Sequence, residues 1–158
     1  MLKPVSHKVF GLSVCLATLV FLGDQATKFW VENVLHDTRI LIPGLLKFTP
    51  FYNPGFFFGF WHPKYLKFFT VVLSCLVIYV TIDLLKKNRK NQGLLITGVG
   101  LIWGGMLGNL ADRLISGYVF DFIALWRIPV FNLADTALTL GAAAIMVNLF
   151  FTEDGLIR

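Results

Sequence analysis

Charge is scarce in this chain. Only 15% of the residues are Asp, Glu, Lys or Arg, while 56% are hydrophobic, against about 25% charged residues in ordinary soluble domains. That balance excludes a typical soluble core and points to a membrane protein. Basic residues outnumber acidic ones, 14 to 9, but they are not strung along a polar face with aromatics between them, so no nucleic-acid partner is expected. Cysteine is nearly absent. Cys15 and Cys75 sit in the middle of apolar runs, too few for a disulfide framework, and they read as small buried hydrophobes. His7, His36 and His62 have no metal-ligand spacing, and neither H-E-x-x-H nor paired CxxC occurs, so no metal is expected. There is no G-x-S-x-G, Walker loop or dinucleotide fingerprint. Internal repeats, low-complexity tracts and linkers are also missing, which leaves a single domain over residues 1–158.

Long apolar runs, by contrast, are plentiful. A helix needs about 20 apolar residues to cross a bilayer. Four segments qualify, at about residues 9–30, 65–84, 93–110 and 133–151. Lys and Arg accumulate in cytoplasmic connections. Lys3 and Lys8 precede the first span, and Lys86, Lys87, Arg89 and Lys90 join the second to the third. These regions are therefore expected on the cytoplasmic side, and an even number of spans puts both termini there. The opening MLKPVSHKVFGLSVCLATLV has the order of a signal peptide, but Val14 is bulky where a small residue is wanted and the run continues to Leu22, so a retained span is expected.

The first outer connection has a pattern of its own. Residues 39–42 and 45–52 are rich in β-branched, Leu and aromatic residues, and Pro43-Gly44 between them suits a turn. A small β-structure over about residues 38–60, lying on the outer membrane surface, is expected. PGFFFGFWHP adds Phe56, Phe57, Phe58, Phe60 and Trp61, residues that favour the headgroup region. They suit an aromatic belt or a lipid- or substrate-contacting surface.

The polar residues of the apolar segments gather at the outer ends. Asp24, Thr27 and Lys28 end the first span, Asn53 closes the β-structure, and Asn109, Asp112 and Arg113 end the third span. Asp121 falls in a short outer loop, and Asn132 and Asp135 begin the fourth span. Ionisable residues within spans are functional candidates, but each has a structural alternative. Asp24 and Lys28 have the spacing of an i,i+4 ion pair. Asn109 shares a helix face with Asp112 and Arg113, and Arg113 could snorkel to the interface. Asn132 and Asp135 have the spacing of a capping box. Asp121 and Asp135 remain as two carboxylates separated by a short apolar segment. A close pair in a low-dielectric site shares a proton. One member then activates water while the other protonates the departing group. Asp135, near the positive end of a helix dipole, is expected as the resting base and Asp121 as the acid.

Five blocks now stand in order: DQATK from Asp24, FYNPG around Asn53, GGMLGNLADR from Gly104, VFDF around Asp121, and FNLAD from Phe131 to Asp135. With the four spans they cover nearly the whole chain, which resembles the bacterial lipoprotein signal peptidases, or signal peptidase II. The resemblance implies an all-α membrane protein of four transmembrane helices with a small extracytoplasmic β-cradle. It implies an aspartic endopeptidase, with neither metal nor cofactor, that removes the signal peptide of diacylglyceryl-modified prolipoproteins just before the lipidated cysteine. Asp121 and Asp135 match the catalytic pair. Asn53, Gly55, Asn109 and Arg113 match positions lining the substrate and inhibitor pocket. Asp24, Lys28, Gly108, Asp112, Asn132 and Ala134 match supporting positions. Membrane lipid and globomycin-type inhibitors are the other implied partners, a monomer the implied state, and the bacterial inner membrane, with the site at its outer face, the implied location. The chain departs from the family where Phe56-Phe57-Phe58 follow Asn53-Pro54-Gly55, and where the segments after Asn53 and between Asp121 and Asp135 are short. Both bear on the substrate entrance rather than on the chemistry.

Two other classes compete. A small transporter or proton channel would spread polar groups along the membrane depth. A non-enzymatic assembly factor would tolerate Asp121→Asn.

Overall fold

The computed structural model describes residues 6–55, 63–87 and 92–153. The aromatic stretch from Phe56 to Trp61 and the basic residues Lys3, Arg89 and Lys90 lie outside them. Four helices, α1 (His7–Val34), α2 (Pro63–Lys87), α3 (Gln92–Ile115) and α4 (Leu133–Glu153), are joined by three strands, β1 (Arg39–Ile42), β2 (Leu46–Asn53) and β3 (Val119–Leu125). Each helix carries a stretch long and apolar enough to cross a membrane. At 1.5 Å per residue, the 28 residues of α1 span about 42 Å, more than the roughly 30 Å hydrocarbon core.

Helix α3 is central. Half of its apolar window is buried, against 17–28% in the other three spans. Glycine makes this possible. Gly100, Gly104 and Gly108 recur every four residues and face Leu16, Val20 and Asp24 of α1. A Cβ on Gly104 would stand 2.5 Å from Val20 Cβ and 2.6 Å from Ala17 O. Gly98 and Gly105 do the same towards α4, against Ile145 and Gly141 and against Ala134 and Leu138. Small residues let backbones approach closely, which supplies packing contact where lipid removes any hydrophobic drive between helices. The outward faces of the spans keep large apolar side chains such as Leu19, Phe29, Leu73 and Tyr79 exposed. Cys15 and Cys75 are exposed as well, not buried as their apolar surroundings suggest. Helices apolar all round do not announce which side packs inward.

The fold is not all helix. The strands form an antiparallel sheet in the order β1-β2-β3. Pro43 and Gly44 occupy the turn between β1 and β2, where Gly44 has φ 72° and Leu45 N donates to Ile42 O at 3.1 Å. The sheet therefore takes in a strand far from residues 38–60, and Asp121 lies on that strand rather than in a loop. The reason is the run VFDFIAL, whose Phe120 and Phe122 pack with Val31 and Leu35 at the end of α1. Burying that face docks the sheet onto the helical bundle and fixes Asp121 over the helix ends.

Candidate active site

Two local motifs fix side chains at the start of α4 and the end of β2. Asn132 caps α4 reciprocally. Its Oδ1 accepts from Asp135 N at 2.9 Å, and Asp135 Oδ2 accepts from Asn132 N at 3.2 Å. This is the capping-box arrangement with Asp in the place of Glu. At the end of β2, Gly55 N donates to Asn53 Oδ1 at 2.8 Å, and Gly55 has φ 77°, a conformation that glycine adopts freely. Both asparagine oxygens are thus held by backbone N–H groups, so both amide nitrogens point into the site.

The nitrogens meet the two aspartates. Asn53 Nδ2 donates to Asp121 Oδ2 at 2.9 Å and Asn132 Nδ2 to Asp121 Oδ1 at 2.6 Å. Asn109 Nδ2 donates to Asp135 Oδ1 at 2.8 Å, and Asn132 Nδ2 lies 3.1 Å from Asn109 Oδ1. Asp121 and Asp135 are therefore neighbours through Asn132, with each carboxylate oxygen already holding one N–H. Asp121 is 1% exposed and Asp135 is half-buried, so the two differ in their access to water. Burial is the main cause that pushes Asp121 up to about 6, and the Asp135 charge adds to it, whereas the Asn53 and Asn132 amides and the Lys28 charge oppose it. Asp121 so keeps a proton into the range where general acids work near neutrality.

Beneath them lies a buried ionic cluster. Lys28 Nζ is 2.7 Å from Asp24 Oδ2, 2.7 Å from Asp112 Oδ2 and 3.1 Å from Asn109 Oδ1. Asp24 Oδ1 accepts from Ala134 N at 2.9 Å. Gly108 faces the Asp24 carboxylate so closely that a Cβ there would collide with it, and that same Cβ would stand 3.4 Å from Ala134 Cβ. Gln25, which sequence reasoning passed over, reaches Asp112 Oδ1 at 2.9 Å, Asp24 Oδ2 at 3.2 Å and Gly108 O at 3.3 Å. Its position beside Asp24 in DQATK was the one available signal. Arg113 is half-buried with its Nε unpartnered, and its charge interacts most strongly with Asp135, then Asp121 and Asp112.

The structure thus brings the sequence candidates to one end of the bundle. Deeper hydroxyls serve their own helices: Ser13, Ser74 and Thr81 donate to the carbonyls of Val9, Thr70 and Val77. No group of three or more His, Cys, Asp or Glu side chains suited to a metal ion occurs among the described residues.

Known proteins share both the sequence and the fold. The family described as "Signal peptidase (SPase) II" matches residues 16–151. A lipoprotein signal peptidase of Pseudomonas paraeruginosa is 34% identical over 148 residues, covering 85% of each chain. One from Desulforapulum autotrophicum is 33% identical over 150 residues, covering 89% of this chain and 93% of that one. Two solved structures, each described as a bacterial membrane enzyme, superpose with TM-scores of 0.78 and 0.77 at 27% and 28% identity. The first covers 98% of this chain and 95% of its own, the second 94% and 97%.

Proposed function

The chain belongs to the signal peptidase II family of aspartic peptidases, and on that premise we propose that Asp121 and Asp135 hydrolyse prolipoproteins as an acid–base pair. The observation that carries the proposal is the Asn132 amide, which donates to Asp121 while its backbone N–H and side-chain oxygen hold Asp135. One residue fixes both carboxylates.

Asp135 stands at the N-terminus of α4, where a helix dipole favours negative charge, and it is the more accessible of the two. It removes a proton from water as the water oxygen bonds to the scissile carbonyl carbon. Asp121 gives its proton to the departing amide nitrogen, and proton exchange with solvent resets the pair. Proton removal from water and proton donation to the leaving nitrogen need opposite protonation states, so the activity should follow a bell-shaped pH profile. Arg113, whose charge acts on Asp135 and Asp121, is assigned to hold a substrate carbonyl.

The substrate is a prolipoprotein whose cysteine already carries diacylglycerol, cut just before that cysteine. The relatives' names support a lipoprotein precursor as substrate, and the site's place beside the helix ends, where water and lipid meet, suits a lipid-anchored one. The site faces outward from the bacterial inner membrane, with both termini inside. Lys86 and Lys87 at the far end of α2 support that orientation. The sheet carries exposed Ile40, Leu41, Ile42, Leu45 and Trp126 with Arg127 stacked 5.1 Å from the Trp126 ring, a composition suited to the lipid headgroup region. Globomycin-type inhibitors would occupy the same site, and the chain acts as a monomer.

The test is cleavage of a diacylglyceryl-modified prolipoprotein by the purified protein in detergent with a chelator present, beside Asp121→Asn and Asp135→Asn. Cleavage before the lipidated cysteine that both substitutions abolish supports the pair. Activity surviving in either variant refutes it, and equal cleavage of the unlipidated precursor refutes the substrate.

A further inference from the structure

The buried ammonium of Lys28 has N–H donors and no acceptor. It donates to Asn109 Oδ1 at 3.1 Å and lies 2.7 Å from Asp24 Oδ2 and 2.7 Å from Asp112 Oδ2, the latter an ion pair without hydrogen-bond geometry. The two carboxylates have other donors. Gln25 reaches both, and Ala134 N serves Asp24. The Asn109 oxygen is different in kind. An asparagine amide has two near-isosteric orientations, and only its partners choose between them. With Lys28 on its oxygen, Asn109 turns its nitrogen to Asp135 Oδ1 at 2.8 Å. Turned the other way, its NH2 would face an ammonium, and its oxygen would face a carboxylate. Asn132 Nδ2 also touches Asn109 Oδ1 at 3.1 Å, but that nitrogen has Asp121 Oδ1 at 2.6 Å and Phe120 O at 3.4 Å as alternatives for its two hydrogens. Lys28 has no such freedom. Burying a lysine, here 4% exposed, against two aspartates adds little net stability, because desolvation offsets the attraction. Holding two helices together is therefore a weak account of it.

We propose that Lys28 is a positioning residue for hydrolysis: its hydrogen bond to Asn109 Oδ1 selects the Asn109 orientation that presents an amide N–H to Asp135, and so aligns the base with Asp121. The proposal rests on the reading of Asp121 and Asp135 as the reacting pair. Among the described residues, the charged groups around the pair are Asp24 and Lys28 from α1, Asp112 and Arg113 from α3, Asp121 from β3 and Asp135 from α4. Lys28 and Arg113 are the cations among them. The Lys28 charge also favours ionised Asp121, so its loss should move the alkaline limb of the pH profile, set by Asp121 giving up its proton, upward. That shift reads the Lys28 charge, so the positioning role is read from kcat against KM.

The experiment measures kcat and KM across pH for the full chain in detergent, as wild type, Lys28→Met, Lys28→Gln and Asp121→Asn, with thermal unfolding of each. The expected result for folded Lys28→Met is a fall in kcat of about tenfold, the scale of one lost positioning hydrogen bond. KM should stay within about twofold, and the alkaline limb should move up. Unchanged kcat and limb, or a loss carried wholly by KM, would overturn the proposal. If Lys28→Met does not fold, Lys28→Gln decides by the same split. Activity surviving in Asp121→Asn would remove the pair itself and the proposal with it, a failure distinguishable from an indifferent Lys28.

Discussion

Asn132 is the residue on which the site turns, and its two jobs separate by substitution. Its oxygen caps α4 by accepting from Asp135 N at 2.9 Å. Its nitrogen donates to Asp121 Oδ1 at 2.6 Å. Serine is as good an N-cap as asparagine but has no amide to reach Asp121. Asn132→Ser should therefore keep the helix start and lose the carboxylate contact. A hydrogen bond to a neutral group, as Asp121 is in its acid form, contributes about 0.5–1.5 kcal/mol. If that contact positions the reacting pair, kcat should fall by roughly 2- to 12-fold at about 1.4 kcal/mol per decade. Asn132→Ala should lose the cap as well, about 1 kcal/mol more in stability. The Asn132 amide also holds Asp121 lower than burial alone would, so the alkaline limb of the pH–rate profile should move upward in both variants. The assay is steady-state cleavage of a lipidated precursor across pH, paired with thermal unfolding in detergent. An Asn132→Ser protein with wild-type kcat would refute the reasoning. Equal stability of the Ser and Ala variants would show that the cap contributes nothing.

Two further outcomes follow from the geometry. Asp121 rises from 3.8 unfolded to about 6 folded, so the folded state binds its proton more tightly. The stabilising contribution is fully present below about pH 4 and is lost as pH rises through about 6, by at most about 3 kcal/mol at 1.36 kcal/mol per pH unit. Asp121→Asn should remove that slope, and denaturation of the two proteins at pH 4 and pH 7 would reveal it as a difference that shrinks as pH rises. At the α1–α3 seam, Gly104→Ala would place a Cβ 2.5 Å from Val20 Cβ and should destabilise by about 1–3 kcal/mol. Gly11→Ala, with nothing within 4 Å of the added atom, should be neutral or stabilising by up to about 1 kcal/mol. Thermal unfolding of both in detergent checks the contrast.

Some of this protein is written in short stretches of its chain. Apolar runs of about 20 residues mark the four spans because the bilayer sets their length. Pro43-Gly44 marks its turn, Asn132 and Asp135 their cap, and Asp24 and Lys28 their ion pair, because each signal acts within four residues and needs no distant partner. The order of the five motif blocks was enough to suggest the family. Tertiary structure decided the rest. VFDFIAL, seven residues with an aspartate at the third position, lies in a short connection between two spans and by itself reads as a loop. It becomes a strand only because β2 offers it hydrogen bonds and the end of α1 receives its phenylalanines. The inward side of helices apolar all round was set by where the glycines of α3 let α1 and α4 approach, and this left Cys15 and Cys75 outside. Gln25 shows no role until Asp112, 87 residues away, comes within reach. Lys28 reads as half of an i,i+4 pair until packing brings Asp112 and Asn109 to its ammonium. Local spacing chose which groups stand at each helix end. Only the packing of those ends chose which carboxylates share a neighbour, and that sharing is what the proposed chemistry requires.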